Sequence, residues 1–212
     1  MITYEYYFVL SRHVKFTISK ERSVSNMNET LKVIKERRSI KQYKAEQIPD
    51  ADLQQIMEAA IHAPNARNAQ TWHFTVIQNK EMLDRMVGII KENIMNSGIE
   101  FLKGRASEPG YNTFHHAPTI VIVTGDEKDK FRDVSGGAAA ENIALAAKSL
   151  NIGSCVMTSP ELLFASEKGN ALKKELGIPD GYTHVCVVAL GYHEGKEPET
   201  PPRNKDVINY VK

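Results

Sequence analysis

The chain has 212 residues, with 27 Lys and Arg against 26 Asp and Glu, so its net charge of +1 excludes partner binding through bulk charge, nucleic acid included. At 42% hydrophobic and 25% charged residues it falls within the range of chains that bury a sizeable core unaided. Its two cysteines, Cys155 and Cys186, have no partner at zinc-ligand spacing and make no disulfide framework, which predicts a reducing, cytoplasmic setting and no metal site.

No apolar run approaches the roughly 20 residues of a membrane helix. Residues 1–26 mix aromatics with Arg12, Lys15, Lys20 and Arg22 and read as an extension of unknown role, although Tyr4 to Leu10 alternates like a strand. Regular patterning begins at Met27. Asn28 is placed to cap a first helix, with Leu31 and Ile34 facing inward and an end near Arg38. A second helix opens at Pro49 to Asp52, buries Leu53, Ile56, Met57 and Ala60, and stops before Pro64. His73 to Gln78 alternates as a strand, and Glu81 to about Asn96 returns to helical period.

The stretch 97–117 is punctuated by Gly98, Gly104, Pro109 and Gly110 and reads as a long loop suited to a lid or binding element. A buried strand follows from Pro118 to Thr124, then an Ala-rich buried helix over Ala138 to Leu150. Gly136-Gly137 opens that helix, either to leave amides free for an anion or, more simply, to allow close packing. Ser154 to Met157 is a short strand; Ser159-Pro160-Glu161 starts a helix that Gly177 ends; His184 to Leu190 is the most buried strand. The order predicts one α+β domain over 27–212.

Phosphate-loop, dinucleotide, zinc-protease and hydrolase motifs are all missing. Three segments carry candidate chemistry. In extended chain Arg37, Ser39 and Lys41 point to one side, an edge suited to an anion, although taken alone a solvated basic face explains them more simply. The loop Ala63 to Phe74 is dense in amides, which donate and accept as the edge of a heteroaromatic ring requires; turn chemistry beside a core Trp72 accounts for it equally well. In the tail, Arg203 and Lys205 follow the pair Pro201-Pro202.

Together, Arg-Arg-Ser-x-Lys at 37–41, Ala-Pro-Asn-x-x-Asn-x-Gln-x-Trp-x-Phe at 63–74, Ala117-Pro118 before a strand, and Gly191-Tyr192 before a basic tail resemble the nitroreductase family of FMN-dependent oxidoreductases. The resemblance implies an α+β sandwich, a mixed and mostly antiparallel central sheet flanked by helices, and an intertwined homodimer with FMN at the subunit interface. It implies that Arg37, with help from Arg203, holds the FMN phosphate, that Ser39 and Lys41 face the ribityl chain and pyrimidine edge, and that Arg38 and Lys205 also belong to the cofactor-binding set. Pro64, Asn65, Ala66, Asn68 and Gln70 would line the cofactor across the interface; Val156, Met157, Thr158 and Ser159 would lie beside flavin N5.

NAD(P)H would supply hydride to the flavin, and a small planar acceptor, a nitroaromatic or quinone, would receive it in a ping-pong reaction with no catalytic side chain. Tyr111 and Phe114 would cover that acceptor or, equally, belong to a dimer core. Three departures stand out: Thr71 where the family often has Pro, Lys41 where Arg is frequent, and Thr158-Ser159 in place of a Glu-Gly pair. Enone reduction, reductive dehalogenation and flavin sequestration without turnover are the alternatives.

Overall fold

The computed structural model describes residues 28–212; the expected N-terminal extension and its strand from Tyr4 lie outside the described residues. Four strands, β1 (Trp72–Ile77), β2 (Thr119–Asp126), β3 (Gly153–Met157) and β4 (Tyr182–Gly191), form a sheet in the order β1-β2-β4-β3. Each neighbouring pair is antiparallel, and among the described residues the one parallel element is a single bridge between Ser39 and Ser154 at the β3 edge.

Period-two alternation divides the core between two faces. Ile120 and Ile122 of β2 with Val187 and Ala189 of β4 meet α3 (Lys80–Asn96) through Leu83, Met86, Ile90 and Ile94. Val121 and Val123 with Cys186, Val188 and Leu190 meet α2 (Asp50–Ile61) and α5 (Arg132–Ser149) through Ile56, Ala60, Ala140, Ile143 and Ala147. Helices on both faces make the α+β sandwich that the element order predicts.

Several elements depart from expectation. Helix α1 (Glu29–Glu36) is capped by the Asn28 side chain as foreseen, but it ends two residues early and buries nothing: Leu31 is 53% and Ile34 48% exposed. Its apolar face has no cover among the described residues. Helix α5 begins at Arg132 rather than Ala138, so Gly136-Gly137 lies inside it and offers no free amides. A Cβ on Gly136 would stand 2.8 Å from Val185 Cγ1, so close helix-to-sheet packing explains the residue.

The segment after β3 is first a 3₁₀ turn, Ser159–Ala165, and only then helix α6 (Glu167–Glu175), capped by Ser166 and followed by Gly177 at φ +68°. The stretch 97–117 contains helix α4 (Glu100–Ala106), and Phe114, at 1% exposure, is built into the core.

Candidate functional site

The site begins where α1 stops. Arg37 turns extended at φ −57°, ψ 134°, and residues 37–43 form a strap along the sheet. Ile40 N donates to Ser154 O at 2.9 Å, Tyr43 bridges to His193, and Lys44 N donates to Tyr192 O at 2.9 Å. Ile40 and Tyr43 are buried, and the Tyr43 hydroxyl donates to Ile40 O at 2.8 Å. The strap seats closely because residue 153 is glycine, where a Cβ would come within 2.9 Å of Ile40 Cγ1.

With Ile40 turned in, Arg37, Ser39 and Lys41 face outward together, as alternation predicts. They border two adjoining lobes of a cleft, with Ser39, Val156 and Thr158 lining both. The lobe toward Arg37, about 660 Å³, takes Glu141 and Gly137 of α5, Glu161 and His184. The lobe toward Lys41, about 560 Å³, takes Met157 and Ser159 and is closed by Arg105, Tyr111, His115 and His116. Both volumes suit a small organic ligand.

Positive charge dominates the strap side. Arg37 Nε lies 3.8 Å from Glu141 Oε1, while Lys41 has no ion-pair partner among the described residues. The Cys155 thiol lies on the floor, where burial raises its pKa and Lys41 pulls the other way. His184 is pushed down to about 4 by burial, so it is neutral at pH 7, and its Nε2 is buried without a hydrogen-bond partner among the described residues.

The structure therefore gathers Arg37, Ser39, Lys41, Val156, Met157, Thr158, Ser159 and Tyr111 around one cleft. Other expected residues stand elsewhere. Arg38 follows the opposite alternation: its guanidinium donates to the carbonyls of Lys35 and Arg37 at 2.7 and 2.6 Å, and Arg203 sits beside it rather than beside Arg37. Lys205 lies in an exposed tail without helix or strand. Phe114 packs into the core and offers no face to a planar molecule in the cleft, which leaves Tyr111 there.

The amide loop is at the far edge of the sheet, leading into β1, whereas the strap borders β3. Pro64, Asn65, Ala66, Asn68 and Gln70 thus do not reach the cleft of their own chain. The loop is nonetheless shaped with care. Arg67, Asn68 and Gln70 have φ of 59°, 51° and 51°, and Asn65 Oδ1 accepts from Gln70 N at 2.9 Å. Three non-glycine residues in left-handed conformation, with Asn68 and Gln70 exposed, make this a strained surface loop.

Sequence reasoning missed Arg105, His115, His116 and His184. The doublet His115-His116 before Ala117-Pro118 was the visible signal; its place in the cleft depends on tertiary packing.

The family model of the Nitroreductase family matches residues 34–192. The chain belongs to this family. An Archaeoglobus fulgidus protein provisionally named NADH dehydrogenase/NAD(P)H nitroreductase is 36% identical over 78% of this chain and 86% of its own length. Two solved nitroreductases with bound FMN superpose over 88% of this chain and all of theirs. The one from Bacteroides fragilis has a TM-score of 0.84 at 34% identity, and the one from Desulfitobacterium hafniense 0.82 at 37%. Among the described residues no helix is long and apolar enough to cross a membrane, and no cluster of His, Cys, Asp or Glu suits a metal ion.

Proposed function

We propose that this protein is an FMN-dependent oxidoreductase that takes reducing equivalents from NAD(P)H and passes them to a small planar acceptor such as a nitroaromatic or quinone. The observation that carries this reading is the outward row Arg37, Ser39, Lys41 along a cleft that ends against residues 156–159. A guanidinium, a hydroxyl and an ammonium in that order match the phosphate, polyol and ring of FMN, and the unpaired state of Lys41 fits a partner supplied by a ligand.

FMN held by Arg37, Ser39 and Lys41 would supply the hydride-transfer chemistry between NAD(P)H and the acceptor. The chain's own residues bind and tune. Arg37 neutralises phosphate. Lys41 would hold a positive charge in the lobe where the ring would lie, an electrostatic influence on its redox chemistry. Val156 and Thr158 separate the two lobes and fix where a planar ring can lie. Tyr111 supplies an aromatic face on the opposite wall. No side chain is needed as an acid or base.

A homodimer completes the site. The strap and the amide loop are on opposite edges of one sheet, so a second copy brings its loop of Pro64 to Gln70 to the first copy's Arg37 edge. The same association covers Leu31 and Ile34 of α1 and Val134 of α5, which is 75% exposed. Anaerobic addition of NADPH, then NADH, to the FMN-loaded protein tests the reading. Bleaching of the flavin band, reversed by a quinone or nitroaromatic, supports it; bound flavin that neither nucleotide reduces would contradict it and favour flavin sequestration.

A further inference from the structure

The wall opposite the strap is a fixed surface with its own charge. Residues 110–117 are pinned from several directions: Phe114 is plugged into the core, and Asn112 Oδ1 accepts from Phe114 N at 2.8 Å and from His116 N at 3.2 Å. Thr113 Oγ1 bonds the Tyr111 hydroxyl at 2.9 Å, and the His116 ring meets Gly110 O at 3.1 Å. These contacts hold His115 and His116 at φ 56° and 58°, a strained conformation for two adjacent non-glycine residues.

Arg105, on the last turn of α4, lines the same lobe. Its carbonyl accepts from Glu108 N at 3.2 Å, but its guanidinium makes no hydrogen bond or ion pair with a described residue, the Glu108 carboxylate included. Burial first, then Lys41 and Arg105, hold the His115 pKa below its ordinary value, which places both cations near that ring. Lys41 and Arg105 against the single carboxylate of Glu108 leave the lobe with one excess positive charge when its histidines are neutral.

We infer that Arg105, which lines the Lys41 lobe together with His115, binds an anionic group of the molecule that enters that lobe. This makes Arg105 a specificity-determining residue for carboxylated or phosphorylated substrates. It deepens the proposed function and rests on that reading. The planar part of such a molecule lies toward Ser39 and Thr158, its anion toward α4, where a guanidinium forms charge-assisted hydrogen bonds unavailable to a neutral analogue. The anion belongs either to a carboxylate on the acceptor or to the phosphates of the nicotinamide nucleotide.

The test compares wild type with Arg105→Gln as FMN-loaded protein, measuring kcat/KM for 4-nitrobenzoate and the neutral 4-nitrobenzyl alcohol, and KM for NADPH and NADH. A fall of about tenfold or more in the preference for nitrobenzoate assigns the anion to the acceptor. A comparable rise in nucleotide KM with that preference unchanged assigns it to the nucleotide phosphates. If neither moves, the inference is wrong. Should the wild type show no turnover, the proposed function fails by itself; calorimetric titration with benzoate against benzamide then still decides. Benzoate binding that Arg105→Gln weakens while benzamide binding is unaltered supports the anion site, and equal affinities in both proteins overturn it.

Discussion

The strap from Arg37 to Tyr43 takes its shape from the sheet it borders, whereas the wall from Gly110 to Ala117 takes its shape from one buried plug and a set of local hydrogen bonds. Along the strap, Ile40 packs inward, its amide bonds Ser154, and alternation alone delivers Arg37, Ser39 and Lys41 to the cleft. On the wall, Phe114 is the anchor, Asn112 ties down the turn, and two histidines accept left-handed backbone to face the same space. A cofactor held by fixed chemistry suits the first construction. A substrate surface suits the second, because its side chains can change while the plug remains.

This contrast can be broken from either side. Phe114→Ala should have the largest effect, about 3–5 kcal/mol of stability from the lost burial and the cavity, read by chemical denaturation of the FMN-free protein. FMN affinity should change far less than stability; equal losses in both would show that the walls are not independent.

His184 makes the Arg37 lobe sensitive to acid. Its folded pKa of about 4 lies below the unfolded 6.5, so the unfolded state binds more protons between those values and stability falls as pH drops through that window. The full shift corresponds to about 3 kcal/mol. His184→Phe should flatten the stability profile between pH 6.5 and 4, and a profile as steep as wild type would refute the assignment.

Arg37→Ala should do the reverse of Phe114→Ala. It removes a charge-assisted phosphate contact worth about 2 kcal/mol of FMN binding, measurable by flavin fluorescence titration, at little cost to the stability of the FMN-free protein. Retention of wild-type FMN affinity would remove Arg37 from the phosphate site. Asn112→Ala is the mildest change: two backbone amides lose their acceptor, stability drops by about 1 kcal/mol, and the His115 resonance in an NMR titration moves toward 6.5 as the turn loosens. An unshifted titration would show that Asn112 does not position His115.

Periodicity made much of the fold legible: α2, α3, β1, β2 and β4 lie within a few residues of where their apolar spacing puts them. The failures have particular causes. Gly136-Gly137 reads as a break, yet a helix pressed on Val185 needs a residue without a side chain there, so α5 starts six residues earlier than its apolar run. Ser159-Pro160 reads as a helix start, yet the chain turns as 3₁₀ until Ser166 provides a true cap. Leu31 and Ile34 have a correct helical pattern whose cover is not among the described residues.

For the site, alternation is a local property, so the strap was readable from Arg37-Ser39-Lys41. Arg38 and Arg203 were grouped with Arg37 by the family resemblance; in the fold Arg38 turns back onto the carbonyls of Lys35 and Arg37, and Arg203 borders Arg38 rather than the cleft. Of the wall, Tyr111 was named in advance and lines the cleft, but Arg105, His115 and His116 were not readable, because a histidine doublet becomes part of a cleft only once Phe114 is buried.

The central claim is that one site is shared between two chains, and complementation tests it most directly. Chains carrying Arg37→Ala are paired with chains carrying Asn68→Ala and Gln70→Ala, and mixed dimers are isolated through two different tags. A shared site leaves one intact combination, the Arg37 of one chain with the loop of the other, so the mixed dimer should bind one FMN per pair at wild-type affinity. If FMN affinity stays as weak as in the two parent variants, each site is built from a single chain and the account is wrong.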